Sequence, residues 1–483
     1  MSADPKTAAN PHAPIQDDAS YAAYVEDFRR AAHSAVDWAA NYLMSVRQYP
    51  VVSENQPGDL TDALPPSAPD AAQPYDEILR DFQKTIMPAV THWNHPRFFA
   101  YFATSSPAPS ILAEMLSATL NTNGLHWKTS PAVAELEKVT LAWLRQWIGL
   151  PENWFGIIYD TASVSSLHAI AAAREMVDPE AHTRGTRGDL VLYASDQSHS
   201  SIDKAAITLG IGQSNIRKIP SDSNFRLIPG ELEKAIQQDI AAGKRPFCVV
   251  ATVGTTSSTS IDPVPAMADI AERYSVWLHV DAAYAGPAAI LPECHYLMDG
   301  VERAHSLVLN PHKWMFVTVD LSVLYTSRPD ILRQAFSLVP EYLRTAEHPR
   351  AINLMDYGVP LGRRFRPLKL WFVMRYFGRE GIQRMLRAHI QWAQEFAAMV
   401  ERDSRFERVA PAPLSVVCFR YKGSDDDNRR IVEQVNESGK AYISHTVLNG
   451  KVVVRMAIGN IGTTREDVKA AWELIQQAAP ANV

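Results

Sequence analysis

The chain has 483 residues, 46% of them hydrophobic, and a formal charge of −6 from 47 basic and 53 acidic side chains. Such a length holds about three domains and at least one large core, so a soluble globular protein is expected. The charge balance leaves no basic footprint for nucleic acid, and no block of like charge or run of ~18 apolar residues marks a membrane patch or span.

Residues 1–16 are polar and rich in Ala and Pro, lack the basic region and apolar core of a secretory leader, and are expected to be mobile. Phe28, Ala32, Val36, Ala39, Tyr42 and Leu43 then recur at three and four residues, an amphipathic helical stripe that needs a partner surface. Residues 53–75, rich in Pro, Asp and Ala, read as an irregular connector. The next helix spans 130–148: Ser130-Pro131 supplies cap and first-turn proline, Leu136, Val139, Trp143 and Trp147 share one face, and Gly149 with Pro151 stops it.

From about 153 to 330, short apolar strands at Phe155–Tyr159, Leu190–Tyr193, Phe247–Val253, Val276–Val280 and Leu307–Leu309 alternate with helical patterns near 165, 201–209 and 264–274. This alternation predicts a mostly parallel sheet covered by helices. Residues 328–357 hold two X-Pro signals and many polar residues and read as a long loop, the kind of segment in which lids are found. Helical stretches follow at 368–377 and 381–402, then strand patterns at 414–421 and 451–458 and a closing helix near 464–478, a small α+β unit. No internal repeat is found. Cys248, Cys294 and Cys418 are few, odd in number and without metal-ligand spacing, which fits structural thiols in a reducing cytoplasm and predicts no metal site.

Chemistry concentrates in HVDAAYAG at 279–286 and SLVLNPHKWMFVTVDLSVLY at 306–325. Lys313 lies in an apolar, strand-like setting, where an amine can lose its proton and condense with an aldehyde. Asp281 ends an apolar strand, at the edge where open α/β sheets gather ligands, and its carboxylate can hold a pyridinium nitrogen protonated. This pair is what pyridoxal 5'-phosphate requires. The turn Thr161-Ala162-Ser163, between a strand and a helix, offers a helix N-terminus and two hydroxyls for a phosphate, although Ser and Thr are also favoured as simple caps.

NPHKW and HVDAAYAG, with HPRFFAYF at 95–102, SDQSHSS at 195–201 and PLGRRFRPLKLWF at 360–372, resemble the group II pyridoxal phosphate decarboxylases, most closely the aromatic L-amino acid decarboxylases. The resemblance runs from about Tyr21 to the end. It implies a fold type I α/β protein: an N-terminal helical flap and dimerisation segment (1–107), a large cofactor-binding domain (108–368) and a small α+β domain (369–483). It further implies a homodimer with shared active sites acting on tryptophan, phenylalanine, tyrosine or dopa.

By the same resemblance Lys313 carries the cofactor, Asp281 faces its ring nitrogen, and His199 stacks on its ring near the substrate carboxylate. Thr161, Ala162, Ser163, Thr252, Ala283, Asn310 and His312 complete the cofactor contacts. Trp93, Tyr101, Phe102, Thr104, Gly362 and, from the partner subunit, the position of Leu125 meet the substrate, and Gly362 goes with tolerance of an indole. Tyr342, in the loop, protonates the substrate carbon, a step that suits a weak acid such as a phenol. The chain departs from the family at Asp160, where glycine is common, at Ala103, where animal relatives carry proline, and at Leu125, where they carry phenylalanine. An aromatic aldehyde synthase is the nearest alternative, but Tyr342 stands where it would have phenylalanine. A decarboxylase of histidine or acidic substrates is another, the latter favoured by a basic pocket residue; Arg455, in VVVRMAIG, is expected to make a structural pair in the small domain. A non-catalytic cofactor-binding protein is opposed by the joint presence of Asp281, His199, Lys313 and Tyr342.

Overall fold

Seven apolar segments between Phe155 and Thr326 build the central sheet of the computed structural model, which describes residues 15–338 and 351–481. In chain order they are β1 (Phe155–Tyr159), β2 (Leu190–Ser195), β3 (Ile216–Ile219), β4 (Arg245–Thr252), β5 (Trp277–Asp281), β6 (Ser306–Leu309) and β7 (Ser322–Thr326). Their order across the sheet is β1-β7-β6-β5-β4-β2-β3. Neighbours from β6 to β3 run parallel, and only β7 runs against its two partners. The residues of β2, β5, β6 and β7 are all buried, as expected where helices cover both faces of a mainly parallel sheet. One apolar cluster packs under helices Ala162–Val177 and Ser200–Thr208, the other under Pro229–Ala241 and Val264–Arg273.

A second sheet, of four antiparallel strands, follows: β8 (Phe406–Arg408), β9 (Val416–Tyr421), β10 (Ser444–Leu448) and β11 (Lys451–Ala457), in the order β10-β11-β9-β8. Helices Asp425–Glu437 and Arg465–Ala478 bury Ile431, Val435, Val468 and Ile475 in its core, and each begins with a capping box. Helix Pro367–Arg402 connects the two sheets and breaks at Gly378, whose φ of 63° ends the first helical stretch. Among the described residues, no helix is long and apolar enough to cross a membrane, and the three cysteines are free and buried.

Several expectations need correction. The stretch read as a loop from residue 328 opens with helix Pro329–Phe336, because Arg328-Pro329 starts a helix with proline in its first turn instead of ending one. The connector 53–75 contains the short helix Asp59–Ala63. Helix Pro131–Ile148 exists, but its buried face is Val133, Ala134, Glu137, Leu141, Leu144 and Ile148; Val139 and Trp143 lie on the exposed side. The stripe on helix Asp18–Ser45 is only partly covered: Tyr42 at its end packs against Tyr49 and His92, whereas Phe28 and Val36 are 52% and 47% exposed. Residues 1–14, for which mobility is expected, lie outside the described residues.

Candidate active site

The site forms where parallel strands end. Asp281, the last residue of β5, is buried and paired in register with Thr252 at the end of β4. Its Oδ1 accepts the Ala283 N–H at 3.0 Å, so the carboxylate is held by the turn that follows its own strand. One strand over, β6 leads through Asn310 into the single-turn helix Pro311–Trp314 that carries Lys313. This corrects the strand-like setting: Pro311 starts a helical turn, and the Lys313 N–H donates to the Asn310 carbonyl at 3.0 Å. The Asn310 N–H in turn donates to the Ala283 carbonyl at 3.0 Å, which joins the lysine turn to the aspartate turn.

Electrostatics ties these groups together. Burial, the largest influence, lowers the Lys313 ammonium below its ordinary value; Asp281 opposes this and Arg455 reinforces it. More of the amine is therefore neutral and nucleophilic than on a hydrated lysine. His199 caps helix Ser200–Thr208, and its Nδ1 accepts the Ser201 N–H at 3.1 Å. That bond leaves Nε2 as the protonated nitrogen of the neutral ring. Desolvation in the pocket mouth lowers the His199 imidazolium below its ordinary value, against Asp281 and with Lys313, so the neutral ring prevails. His312 is buried, accepts the Leu321 N–H on Nδ1 at 2.9 Å, and is pushed down to about 3, chiefly by burial.

Two buried oxygens here have no partner among the described residues, Thr252 Oγ1 and Asn310 Oδ1. Unsatisfied buried polar atoms are costly and rare, so their presence beside Lys313 and Asp281 fits a polar ligand. Thr161 caps helix Ala162–Val177, whose first N–H groups at Ala162 and Ser163 can cradle a phosphate. Asp160 folds back onto the Thr161 N–H and hydroxyl. Ala283 is small and buried, leaving room for a flat ring above the Asp281 turn.

In front of Lys313 lies a cavity of about 390 Å³. Trp93, Tyr101, Phe102 and Thr104 line it with His199, His312 and Lys313. Larger cavities occur elsewhere; the chemistry of its walls, not size, distinguishes this one. Trp93 stacks near Tyr101 with ring centroids 5.8 Å apart, and the Lys313 Nζ stands 5.1 Å from the Phe102 centroid. Leu125 and Gly362 are not in this cavity. They sit together elsewhere, joined by Gly124 N–H to Arg363 O at 2.9 Å and by Arg363 N–H to Asn123 Oδ1 at 2.9 Å. Tyr342 lies outside the described residues.

Sequence reasoning missed the small-domain wall of the cavity, Ser444, His445, Thr446 and Arg455. Arg455 does not make a side-chain pair within the small domain. It donates to the carbonyls of Ser257 (3.2 Å) and Tyr101, lies over Phe102, and keeps Nη2 buried without an acceptor among the described residues. The available clue was an arginine inside a strand that is otherwise buried and apolar.

A neutralisable lysine, a strand-end aspartate and a helix N-terminus converging on one edge of this sheet are the requirements of pyridoxal phosphate chemistry on a fold type I scaffold. Residues 57–422 match the pyridoxal-dependent decarboxylase conserved domain, and the chain belongs to that family. It is 42% identical over 477 residues to tyrosine decarboxylase 4 of Petroselinum crispum, covering 94% of each chain. To phenylacetaldehyde synthase of Arabidopsis thaliana it is 42% identical over 471 residues, covering 94% of this chain and 96% of the other. The crystal structure of Catharanthus roseus tryptophan decarboxylase in complex with L-tryptophan superposes with a TM-score of 0.89 at 39% identity, covering 94% and 98% of the two chains. The chain is thus a pyridoxal phosphate-dependent carboxy-lyase.

One buried carboxylate supports the site from behind. Asp262 accepts the Thr252 and Leu227 N–H groups, each at 2.8 Å, and burial raises its pKa to about 6. The folded chain therefore holds this proton more tightly than the unfolded chain, and stability from this group falls as pH rises from about 4 to 6. Apart from a constant offset for altered hydrogen bonds, the thermal midpoint of Asp262→Asn relative to the parent is expected to rise across that window and level off above it. A difference independent of pH would reject the assignment.

Proposed function

We propose that the chain decarboxylates aromatic L-amino acids, of the tryptophan, phenylalanine, tyrosine or dopa type, to the corresponding amines and carbon dioxide. The observation that carries this is a lysine amine at the base of a cavity walled by Trp93, Tyr101 and Phe102, with the Asp281 carboxylate behind it. The flat rings of Trp93, Tyr101 and Phe102 fit an aromatic side chain, while the polar lining around His199, Lys313 and Arg455 suits the charged groups that every amino acid carries. The 42% identity to a tyrosine decarboxylase and the close likeness to a tryptophan decarboxylase support the same substrate class.

When bound, pyridoxal phosphate supplies a conjugated ring that accepts the electrons released as the carboxylate leaves. Lys313 would hold it through its amine, Asp281 would face its ring nitrogen and favour the protonated form, and His199 would orient the substrate with its Nε2–H. Tyr342 returns a proton to the α-carbon. Asp281→Ala is expected to lower kcat far more than it changes KM, since the carboxylate acts on the chemical step; equal kcat in variant and parent would remove that role.

The active form is a homodimer. Helices Asp18–Ser45 and Ala108–Leu120 leave an apolar groove of about 730 Å³, with Tyr21, Tyr24, Phe28 and Met115 exposed along it, a surface of the kind that isologous contacts cover. Leu125 and Gly362, absent from the cavity of their own chain, fit a contribution to the partner's pocket. The three free, buried thiols support a cytoplasmic location.

Purified protein assayed for amine, carbon dioxide and peroxide over a panel of aromatic amino acids, histidine, glutamate and aspartate tests the proposal. Arg455 gives the acidic substrates a place in that panel, because it brings a cation to the pocket. Preferential turnover of glutamate or aspartate would replace the aromatic assignment, and sedimentation as a monomer at assay concentration would reject the shared site.

A further inference from the structure

The cavity wall contains a four-layer stack whose outer layers belong to different domains. The Arg455 guanidinium lies 4.6 Å from the Phe102 ring centroid. Tyr284 stacks on Phe102 with centroids 4.0 Å apart at 22°, and Trp314 stacks on Tyr284 at 4.9 Å and 9°. A guanidinium and a phenol that close to one phenyl ring cannot share a face, so Phe102 is sandwiched between them.

Both ends of the stack are anchored. Trp314 is buried, is the neighbour of Lys313 on the same helical turn, and donates Nε1–H to His389 Nδ1 at 3.1 Å. Tyr284 is buried and its hydroxyl is hydrogen-bonded to Ser415 Oγ, just before β9. At the other end Arg455 is fixed by the carbonyls of Ser257 and Tyr101. Its Nη2 remains a buried donor with no acceptor among the described residues. A buried cationic donor without an acceptor is costly, and an amino acid entering this cavity brings acceptor oxygens.

We propose that Tyr284 is a positioning residue for substrate: through Phe102 it sets where the Arg455 Nη2 donor stands relative to Lys313, and that donor takes an acceptor oxygen of the bound amino acid. Trp314 fixes one end of the stack to the lysine turn, so the spacing between amine and donor is set by three packed rings and not by a flexible side chain. Tyr284 touches neither substrate nor cofactor in this role. The inference rests on the cavity being the amino-acid pocket.

The test compares Tyr284→Leu, which removes the stacking layer, with Tyr284→Phe, which keeps it and loses only the hydroxyl. In cofactor-loaded enzyme, KM for the preferred aromatic amino acid and its Kd by calorimetry are expected to rise roughly ten- to a hundred-fold in the leucine variant, the range of a charge-assisted hydrogen bond. Cofactor absorbance and kcat should change much less, and phenylalanine should restore KM to near the parental value. Arg455→Lys should weaken binding similarly, and the Tyr284→Leu/Arg455→Lys double variant should be little worse than either single one, because both act through one donor. If leucine at 284 prevents folding, Phe102→Leu breaks the same stack from its middle layer and is expected to raise KM alike. A lower thermal midpoint with parental KM and Kd, or fully additive effects in the double variant, would overturn the inference and leave the stack as packing alone. A parent enzyme that binds no aromatic amino acid would overturn the substrate assignment, and the positioning role with it.

Discussion

Lys313→Ala is expected to abolish covalent attachment of the cofactor and nearly all turnover while the protein stays folded. Alanine suits the single helical turn Pro311–Trp314, and the bonds that hold that turn are made by backbone atoms, so the change removes an amine without removing a support. The amine is set apart by position: it lies at the base of the aromatic cavity, is lowered from its ordinary value by burial, and feels Asp281. Among the described residues Lys369 is also a buried lysine, but it is bound to Glu114 and does not line this cavity. The loss should exceed the ~10²–10⁴-fold that general acid–base catalysis alone contributes, because substrate exchange as well as proton handling is removed. Borohydride reduction followed by peptide mapping checks it directly. A cofactor adduct on a different lysine, or turnover within tenfold of the parent, would move the assignment away from Lys313.

The parts of the site that were legible in the sequence are those built locally. Asp281 and Lys313 each stand at the end of a short apolar run, and a strand end followed by a tight turn fixes a side chain on the sheet edge with little help from the rest of the fold. The helix start at Thr161 was readable for the same reason, since cap and strand are adjacent. What escaped is long-range. Arg455 takes its acceptors from Tyr101 and Ser257, residues hundreds of positions away, and no local pattern announces a backbone carbonyl as a partner. Helix Pro131–Ile148 shows a subtler failure: apolar spacing places Val139 and Trp143 on the core face, yet they are exposed, while the core takes Val133, Ala134 and Leu141 together with Glu137, whose carboxylate accepts Arg363 at 2.8 Å. A buried ion pair turns a charged residue inward, which apolar periodicity alone does not signal. Leu125 and Gly362 illustrate a third kind of limit: neither lines the cavity of its own chain, so the pocket role proposed for them depends on an interface that a single chain does not contain.

The product of the reaction is expected to turn on Tyr342. Tyr342→Phe keeps the ring and removes one proton, the proton assigned to the α-carbon after carbon dioxide departs. Without it the electron pair left at that carbon persists longer, and dioxygen can accept two electrons from it. With water supplying the oxygen of the carbonyl, one amino acid and one dioxygen then give aromatic aldehyde, carbon dioxide, ammonia and hydrogen peroxide. The variant is therefore expected to make these in place of most amine, with the amine-forming rate lowered by roughly 10²–10⁴-fold, the usual contribution of a positioned acid. Cofactor binding should hardly change, since the phenol is assigned to the substrate carbon and not to the cofactor. The 42% identity to a phenylacetaldehyde synthase makes such a change of outcome compatible with the scaffold. Assay under air and under nitrogen separates the two paths: peroxide and aldehyde should vanish without oxygen, and slow amine formation should remain. Amine formed at the parental rate without peroxide would instead assign the proton to another acid, either water or His199, whose Nδ1 is occupied by the Ser201 N–H and whose ring lines the same cavity.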